Sequence, residues 1–255
     1  KDVVESSFNK EFKKFKIKNN KNKFKLNYEQ KKSLGVMEKN GNNYNVCVLE
    51  GVTGSGKTLV YFERIKKIIS TGSQALVMLP EIALSKQFGS RFKDFFGSEP
   101  VIWNSKTSKK NKKIIWKGVI ENQIKIVIGT RSSLFLPFKK LGIIIVDEEH
   151  DVSYKQDEGI SYNARDMAIA RASLENIPIH LVTAVPSVET YNNVENKKYK
   201  FTLLTKRYKE ASLPRFEIIN LNIYEPNKGM WIANKTIDKV NEYLKKNNQV
   251  LFFLN

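Results

Sequence analysis

The octapeptide GVTGSGKT at residues 51–58 constrains this chain more than any other stretch. It satisfies GxxxxGK[ST] in full, follows the apolar run YNVCVLE and leads into TLVYFERIKKII, so a strand, a tight loop and a helix are expected in that order. Glycines let successive backbone N–H groups close around phosphate oxygens, and the helix start adds the positive end of its dipole. Gly51, Val52, Thr53, Gly54, Ser55, Gly56, Lys57 and Thr58 are therefore candidate nucleotide-binding residues. Lys57 is expected to reach the β- and γ-phosphates and the Thr58 hydroxyl to ligate Mg²⁺. A chance Gly/Ser loop is the competing reading, and the flanking strand and helix weigh against it.

A phosphate loop gives meaning to a second stretch, IIIVDEEHD at 143–151, where acids gather directly behind a branched apolar run. In P-loop NTPases a carboxylate at the end of a neighbouring strand holds the Mg²⁺, which points to Asp147 as the partner of Thr58. Glu148, one residue on, is placed to orient and deprotonate an attacking water. Read alone, the same residues would be an exposed acidic turn.

The rest of the chain alternates in the same way. QALVMLP, PVIWN, IKIVIGT, LGIIIVD and IPIHLVTA read as strands. EIALSKQFGSRFKDFF and ARDMAIARASLEN read as helices, and between PVIWN and IKIVIGT an amphipathic segment gathers Ile115, Trp116, Val119 and Ile120 on one face. Apolar strands bounded by helices imply an α/β fold, a mostly parallel sheet with helices on both faces. Residues 1–24, rich in Lys and Asn, read as a linker or the remnant of an upstream domain, and 25–210 as one nucleotide-binding lobe. From 211 to 255 the pattern shifts: LPRFEIINL reads as a strand, TIDKVNEYLKKN as a helix with Ile237, Val240 and Leu244 on one face, and QVLFFLN as a buried strand. This is the expected start of a second, truncated α/β lobe. The chain begins at Lys1 and stops just after an apolar run, so both ends read as cut.

Composition narrows the class less than the motifs do. Lys+Arg number 44 against 26 Asp+Glu, a net charge of +18 that suits a nucleic-acid partner, yet the excess is mostly Lys beside abundant Asn and Ile, as an AT-rich coding sequence would give. The single cysteine, Cys47, lies in an apolar run and reads as core, which leaves no disulfide framework or cysteine-rich zinc site in this chain. No apolar run approaches a membrane span and the N-terminus lacks a signal-peptide core, so a soluble cytoplasmic protein without a membrane partner is expected.

The motif order resembles the superfamily 2 helicases, with their RecA-like lobes. GVTGSGKT, LPEIALSKQ (79–87), VIGTRSSLFLPF (127–138), VDEEHDVSYKQDEGISYNARD (146–166) and VPSVETYNN (185–193), in this order, look like the PriA family of primosomal replication-restart DNA helicases. The resemblance covers nearly everything from residue 26 onward and implies roles. Gln30, in LNYEQ, stands where such helicases recognise adenine, though a surface glutamine starting a helix fits almost as well. Thr130, Arg131 and Ser132 would meet DNA phosphates. Residues 153–166 look like the aromatic-rich loop that senses single-stranded DNA: Tyr154 and Tyr162 stack on bases or pack under the loop, Lys155 meets the strand, and Arg165 touches a phosphate or pairs with an acid. His150 and Thr183 would couple DNA to the ATP site.

Two departures stand out. The motif that ends in a hydroxyl residue in such helicases reads Thr183, Ala184, Val185 here, which puts the coupling of hydrolysis to strand movement in question, and Asn104 replaces the usual histidine. The resemblance implies ATP and Mg²⁺ as cofactors, with zinc in the full-length family on ligands absent from this chain. It also implies single-stranded and forked DNA, single-stranded-DNA-binding protein and primosome proteins as partners, and 3′-to-5′ movement. Because the later motifs and the arginine finger of a second lobe are not in this sequence, slow hydrolysis is expected of the fragment. The alternative is a catalytically silent DNA- or partner-binding remnant; a P-loop kinase is disfavoured by the motif order.

Overall fold

A computed structural model describes residues 24–39, 41–157, 159–207 and 216–253. The chain divides into two compact units, 1–210 and 211–255. The segment read as a linker, residues 1–24, lies outside the described residues except for Phe24.

The first unit is built on a seven-stranded sheet. In chain order its strands are β1 (Asn45–Gly51), β2 (Gln74–Met78), β3 (Val101–Trp103), β4 (Ile126–Gly129), β5 (Leu141–Asp147), β8 (Pro178–Thr183) and β9 (Lys200–Leu204). Their spatial order is β3-β4-β2-β5-β8-β1-β9 and every pairing is parallel. A small antiparallel hairpin, β6 (Lys155–Gln156) and β7 (Tyr162–Asn163), stands apart from it. The helices are α1 (Tyr28–Glu38), α2 (Lys57–Ser70), α3 (Lys86–Phe96), α4 (Lys109–Ile120), α5 (Ala164–Leu174) and α6 (Val188–Glu195).

Alternation along each strand divides the core into two layers. Val46 and Val48 of β1 and Ile144 and Val146 of β5 join one layer, with Ile114, Ile115 and Val119 of α4 and Ala164, Ala168 and Ala172 of α5. Cys47, Leu49, Ile143 and Ile145 join the other, with Val60, Phe62 and Ile65 of α2 and Phe92 and Phe96 of α3. Burial on both faces explains why these strands read as unbroken apolar runs. Cys47 is core as expected, its thiol pushed up to about 12 by burial. His180, fully buried in β8, is pushed down to about 3, by burial first and then by Arg64 and Lys200, so its imidazole is neutral.

Several expectations need correction. The helix read through 81–96 is broken: a 3₁₀ turn covers Glu81–Ala83, and α3 starts afresh where the Ser85 hydroxyl accepts from Phe88 N–H at 3.2 Å. In α4 the inward face is Ile114, Ile115, Gly118 and Val119, whereas Trp116 and Ile120 are 45% and 43% exposed. The sequence reading also misses β9, the β6–β7 hairpin and α6.

In the second unit, α7 (Asn234–Lys245) falls where a helix was expected, with Ile237 and Val240 half-buried and Leu244 exposed. The strands expected from LPRFEIINL and QVLFFLN do not form over the described residues 216–221 and 249–253, the remainder of both lying outside those described. A strand exists only through pairing, and the described part of this unit holds no second strand to pair with. Leu251 and Phe253 are accordingly 92% and 87% exposed.

Candidate functional site

Strand order brings the chemistry together. β5, β8 and β1 are adjacent and parallel, so the loops leaving their C-terminal ends open on one edge of the sheet, where α/β folds bind ligands. Leu49, Val182 and Asp147 lie level across the three strands. GVTGSGKT, DEEH and Thr183 therefore converge although they are far apart in sequence.

The loop after β1 has the shape its glycines predict. Gly54 and Gly56 take φ of +83° and +85°, and Gly56 starts α2 with no side-chain cap, leaving the first N–H groups of the helix pointing at the loop. Lys57 Nζ donates to the Gly51 carbonyl at 2.6 Å across the loop mouth. The buried Ser55 hydroxyl has no partner among the described residues. Uncapped amides, a lysine folded across the mouth and an orphan hydroxyl fit a polyphosphate group. Val52, Thr53 and Gly54 are exposed at the loop tip.

Gln30 is 2% exposed, which removes the surface-glutamine reading. Its Oε1 accepts from Asn27 N–H at 3.0 Å in a capping box that starts α1, and its Nε2 donates to the Ser55 carbonyl at 2.9 Å. The amide thus braces the loop from behind, and a Cβ on Gly56 would come within 2.4 Å of it.

Asp147 is buried. Its Oδ2 accepts from the Tyr61 hydroxyl at 2.9 Å and its Oδ1 from Glu148 N–H at 3.1 Å. Burial first, and then the Glu148 charge, push its carboxyl up to about 6. Tyr61, on the helix that carries Lys57 and Thr58, was not singled out by the sequence. The hard oxygens of Thr58 and Asp147 suit Mg²⁺, which takes one or two carboxylates and completes its shell with water and phosphate. Glu148 adopts φ +49°, the left-handed region, leaving its side chain 39% exposed beside the buried Asp147.

A pH prediction follows from Asp147. An acid raised in the folded state keeps its proton where the unfolded chain has lost it, so stability falls as pH rises from 3.8 to about 6 and levels off above. Urea unfolding from pH 4 to pH 7 should show Asp147→Asn gaining on the unmodified chain through that window, by at most about 3 kcal/mol. Parallel stability curves would count against a raised Asp147.

His150 Nδ1 lies 2.7 Å from Thr183 Oγ1. The Thr183 hydroxyl donates to the Val185 carbonyl at 2.7 Å and accepts from Val185 N–H at 3.2 Å, so Nδ1–H is the donor that satisfies the set. The Val185 side chain is 67% exposed and takes no part.

The expected DNA residues divide. Thr130, Arg131, Ser132 and Tyr154, with Leu79 and Glu81, line a polar cleft of about 210 Å³ at the ends of β2 and β4. Tyr154 is a correction to base stacking: it is 2% exposed, and its hydroxyl lies 2.6 Å from the Asp147 carbonyl and 3.0 Å from that of Met78. Its single hydroxyl hydrogen is shared between carbonyls at the ends of β5 and β2, which pins the ring beneath the loop. Arg165 is a correction to phosphate contact: it is 6% exposed and donates to Glu149 at 3.1 Å and to Asp166 at 2.8 Å, the acid-pair alternative. Lys155 is exposed in the hairpin, its carbonyl held by Arg131, and Tyr162 meets Phe135 edge-on at 5.6 Å. Neither lines the cleft. Ser132 accepts from Trp103 Nε1 at 3.1 Å, and Asn104 closes a local turn with Thr107.

The family model described as DEAD/DEAH box helicase matches residues 28–194, a span that runs from α1 through DEEH into α6. The chain belongs to the DEAD/DEAH box helicase family. The chain is similar to "Replication restart protein PriA" of Rickettsia conorii, 47% identical over 230 residues that make up 90% of this chain and 35% of the relative. The protein of that name from Haemophilus influenzae is 40% identical over 239 residues, 94% of this chain and 32% of the relative. The chain thus spans about a third of these curated relatives. Among solved structures, the Pyrococcus furiosus Hef helicase domain superposes with a TM-score of 0.55 at 18% identity, over 91% of this chain and 56% of that one. RecG bound to a three-way DNA junction does so at 0.53 and 20%, over 96% and 33%. At such identities they show the helicase fold alone.

Proposed function

We propose that this chain is the first, nucleotide-binding lobe, with the start of a second, of an ATP-dependent 3′-to-5′ DNA helicase that assembles primosomes in replication restart. The observation that carries this reading is the meeting of the Lys57–Thr58 loop end with Asp147 and Glu148 on one sheet edge, beside a His150–Thr183 contact. Lys57 and the α2 amides would hold the ATP phosphates and Thr58 and Asp147 the Mg²⁺, with Gln30, braced on the Ser55 carbonyl, the candidate for adenine recognition. Mg²⁺ held by Thr58 and Asp147 would supply charge neutralisation at the phosphates, and Glu148 would take the proton of the attacking water. The polar cleft bounded by Thr130, Arg131 and Ser132 would follow the strand, with Lys155 and Tyr162 on its flanking hairpin. Similarity to a replication restart protein over 90% of the chain supports the restart role. Forked DNA, primosome and single-stranded-DNA-binding proteins as partners, and a cytoplasmic setting, belong to the same proposal. Among the described residues no helix is long and apolar enough to cross a membrane. Val185 does not favour a silent remnant, because the contact to His150 runs through Thr183.

The test is ATP hydrolysis by the full-length protein with and without single-stranded DNA, with Lys57→Ala as control, and unwinding of 3′-tailed against 5′-tailed duplexes. DNA-stimulated turnover that disappears in Lys57→Ala, with unwinding of the 3′-tailed substrate, is expected. Its absence, or turnover indifferent to Lys57, would reject the reading.

A further inference from the structure

Trp116 and Ile120 lie on the outer side of α4, beside a groove of about 360 Å³ lined by Trp103, Lys112, Lys113, Trp116, Lys117 and Ile120. Surface hydrophobics scattered singly need no explanation, but two indoles and an isoleucine sharing one groove do. Trp103 is the floor: it is 9% exposed, its ring lies 6.4 Å from that of Trp116 at 41°, and Lys112 Nζ sits 5.6 Å over it. Trp116, 45% exposed, is the ring left open to a partner.

Charge says what kind of partner. Residues 106–118 carry six lysines and no acid, and Lys112, Lys113 and Lys117 bring three of them to the groove. An AT-rich coding sequence spreads lysine along the chain and does not gather it around two indoles. Glu121 approaches Lys117 at 3.7 Å, but a partly exposed pair of this kind contributes little and yields to a stronger anion. Aromatic rings rimmed by cations suit a ligand that is planar and anionic at once. Position narrows the choice further. β3 is the outer strand of the sheet, and Trp103 Nε1 donates to the hydroxyl of Ser132, which lines the polar cleft. Groove and cleft therefore meet at one hydrogen bond, and a strand leaving the cleft past β3 comes onto Trp116.

We propose that this groove is a second single-stranded-DNA site, beyond the cleft at the outer edge of the sheet, in which a base stacks on Trp116 while Lys113 and Lys117 meet the flanking phosphates. This rests on the helicase reading above, which puts the strand in the cleft.

The experiment titrates the full-length protein, as wild type, Trp116→Ala, Trp116→Phe and Lys113→Gln, with labelled oligothymidylates from about 4 to about 16 nucleotides. In wild type, affinity should go on rising with length after the cleft is filled. In Trp116→Ala it should level off sooner, with a loss of about tenfold for the longest strand and less than about twofold for the shortest. Trp116→Phe, which keeps a ring, should recover most of that loss, and Lys113→Gln should reduce the slope of log affinity against log salt by about 0.7, the share of one phosphate contact. A long strand carrying 5-iodouracil should cross-link to Trp116 in wild type, a readout that needs no variant to fold. Equal losses at every length, a loss that Trp116→Phe does not recover, or a Trp116 that no photoreactive strand reaches overturns the proposal. An acidic peptide bearing an aromatic residue that binds wild type in preference to Trp116→Ala, while long strands bind both alike, assigns the groove to a protein partner and equally overturns it. A wild type that binds no single strand at any length rejects the helicase reading and the groove with it; length-dependent binding that Trp116→Ala leaves unchanged rejects the groove alone.

Discussion

Replacing Glu148 by Gln should leave nucleotide binding nearly unchanged and slow DNA-stimulated hydrolysis by about 10²–10⁴-fold. Glutamine matches glutamate in volume and adopts the same backbone at φ +49° no less readily, so the turn is expected to survive. What disappears is the partly exposed carboxylate proposed above to accept the proton of the attacking water. A second effect follows from the buried neighbour. Glu148 is the charge that, after burial, holds the Asp147 carboxyl up, so its removal lowers Asp147 and lets it serve as an anionic ligand at lower pH. Mg²⁺ titration of fluorescent-nucleotide binding near pH 6 should therefore favour the variant, even as turnover collapses. A Glu148→Gln protein that hydrolyses ATP at the wild-type rate would remove Glu148 from the chemistry.

The residues behind these effects were unequally legible in the sequence. Asp147 and Glu148 could be found because they follow a continuous apolar strand and share the chain with a complete GxxxxGK[ST] loop, so local pattern was enough. Tyr61 could not, since nothing in TLVYFERIKKII distinguishes a tyrosine that fills the core from one whose hydroxyl reaches a carboxylate on another strand. For Tyr154 and Arg165 the resemblance leaves two readings each, a DNA contact or a contact within the fold, and residue type does not disclose which way a side chain turns. Their partners, strand-end carbonyls for one and Glu149 for the other, are set by where β2, β5 and α6 meet. Glu149 itself was visible in DEEH, but its contacts with Ser187 and Thr190 were not.

Elements fared likewise. Buried central strands carry a strong apolar signal, whereas β9 (KFTLL) is an edge strand with Phe201 and Leu203 41% and 43% exposed and Lys200 at its start. Its short alternation, within a basic stretch, is easily lost. In α4 the error was one of phase: choosing Ile120 over Ile114 rotates the inward stripe, and only the packing of β3 and β4 fixes it.

The other large expected effect is on stability, from Phe62→Ala. Phe62 is 2% exposed, and its ring lies 5.9, 5.7, 5.3 and 5.1 Å from those of Phe88, Phe92, Phe95 and Phe96, in edge-on or tilted arrangements. It packs α2 against the aromatic face of α3, and the loss should be about 3–5 kcal/mol, transfer energy plus the cavity left by rings that cannot all close in. Urea unfolding at neutral pH measures it, with an unchanged slope showing that the folded and unfolded states are otherwise the same. Lys57, Thr58 and Tyr61 ride on the same helix, but they occupy its first turns at the sheet edge, while Phe62 faces α3. Folded variant molecules should consequently bind nucleotide with nearly normal intrinsic affinity, and saturating MgATP should recover part of the lost stability, by mass action on the folded state. A destabilisation below about 1 kcal/mol would mean that α3 re-packs freely onto α2, and that the aromatic cluster does not anchor the helix carrying the phosphate loop.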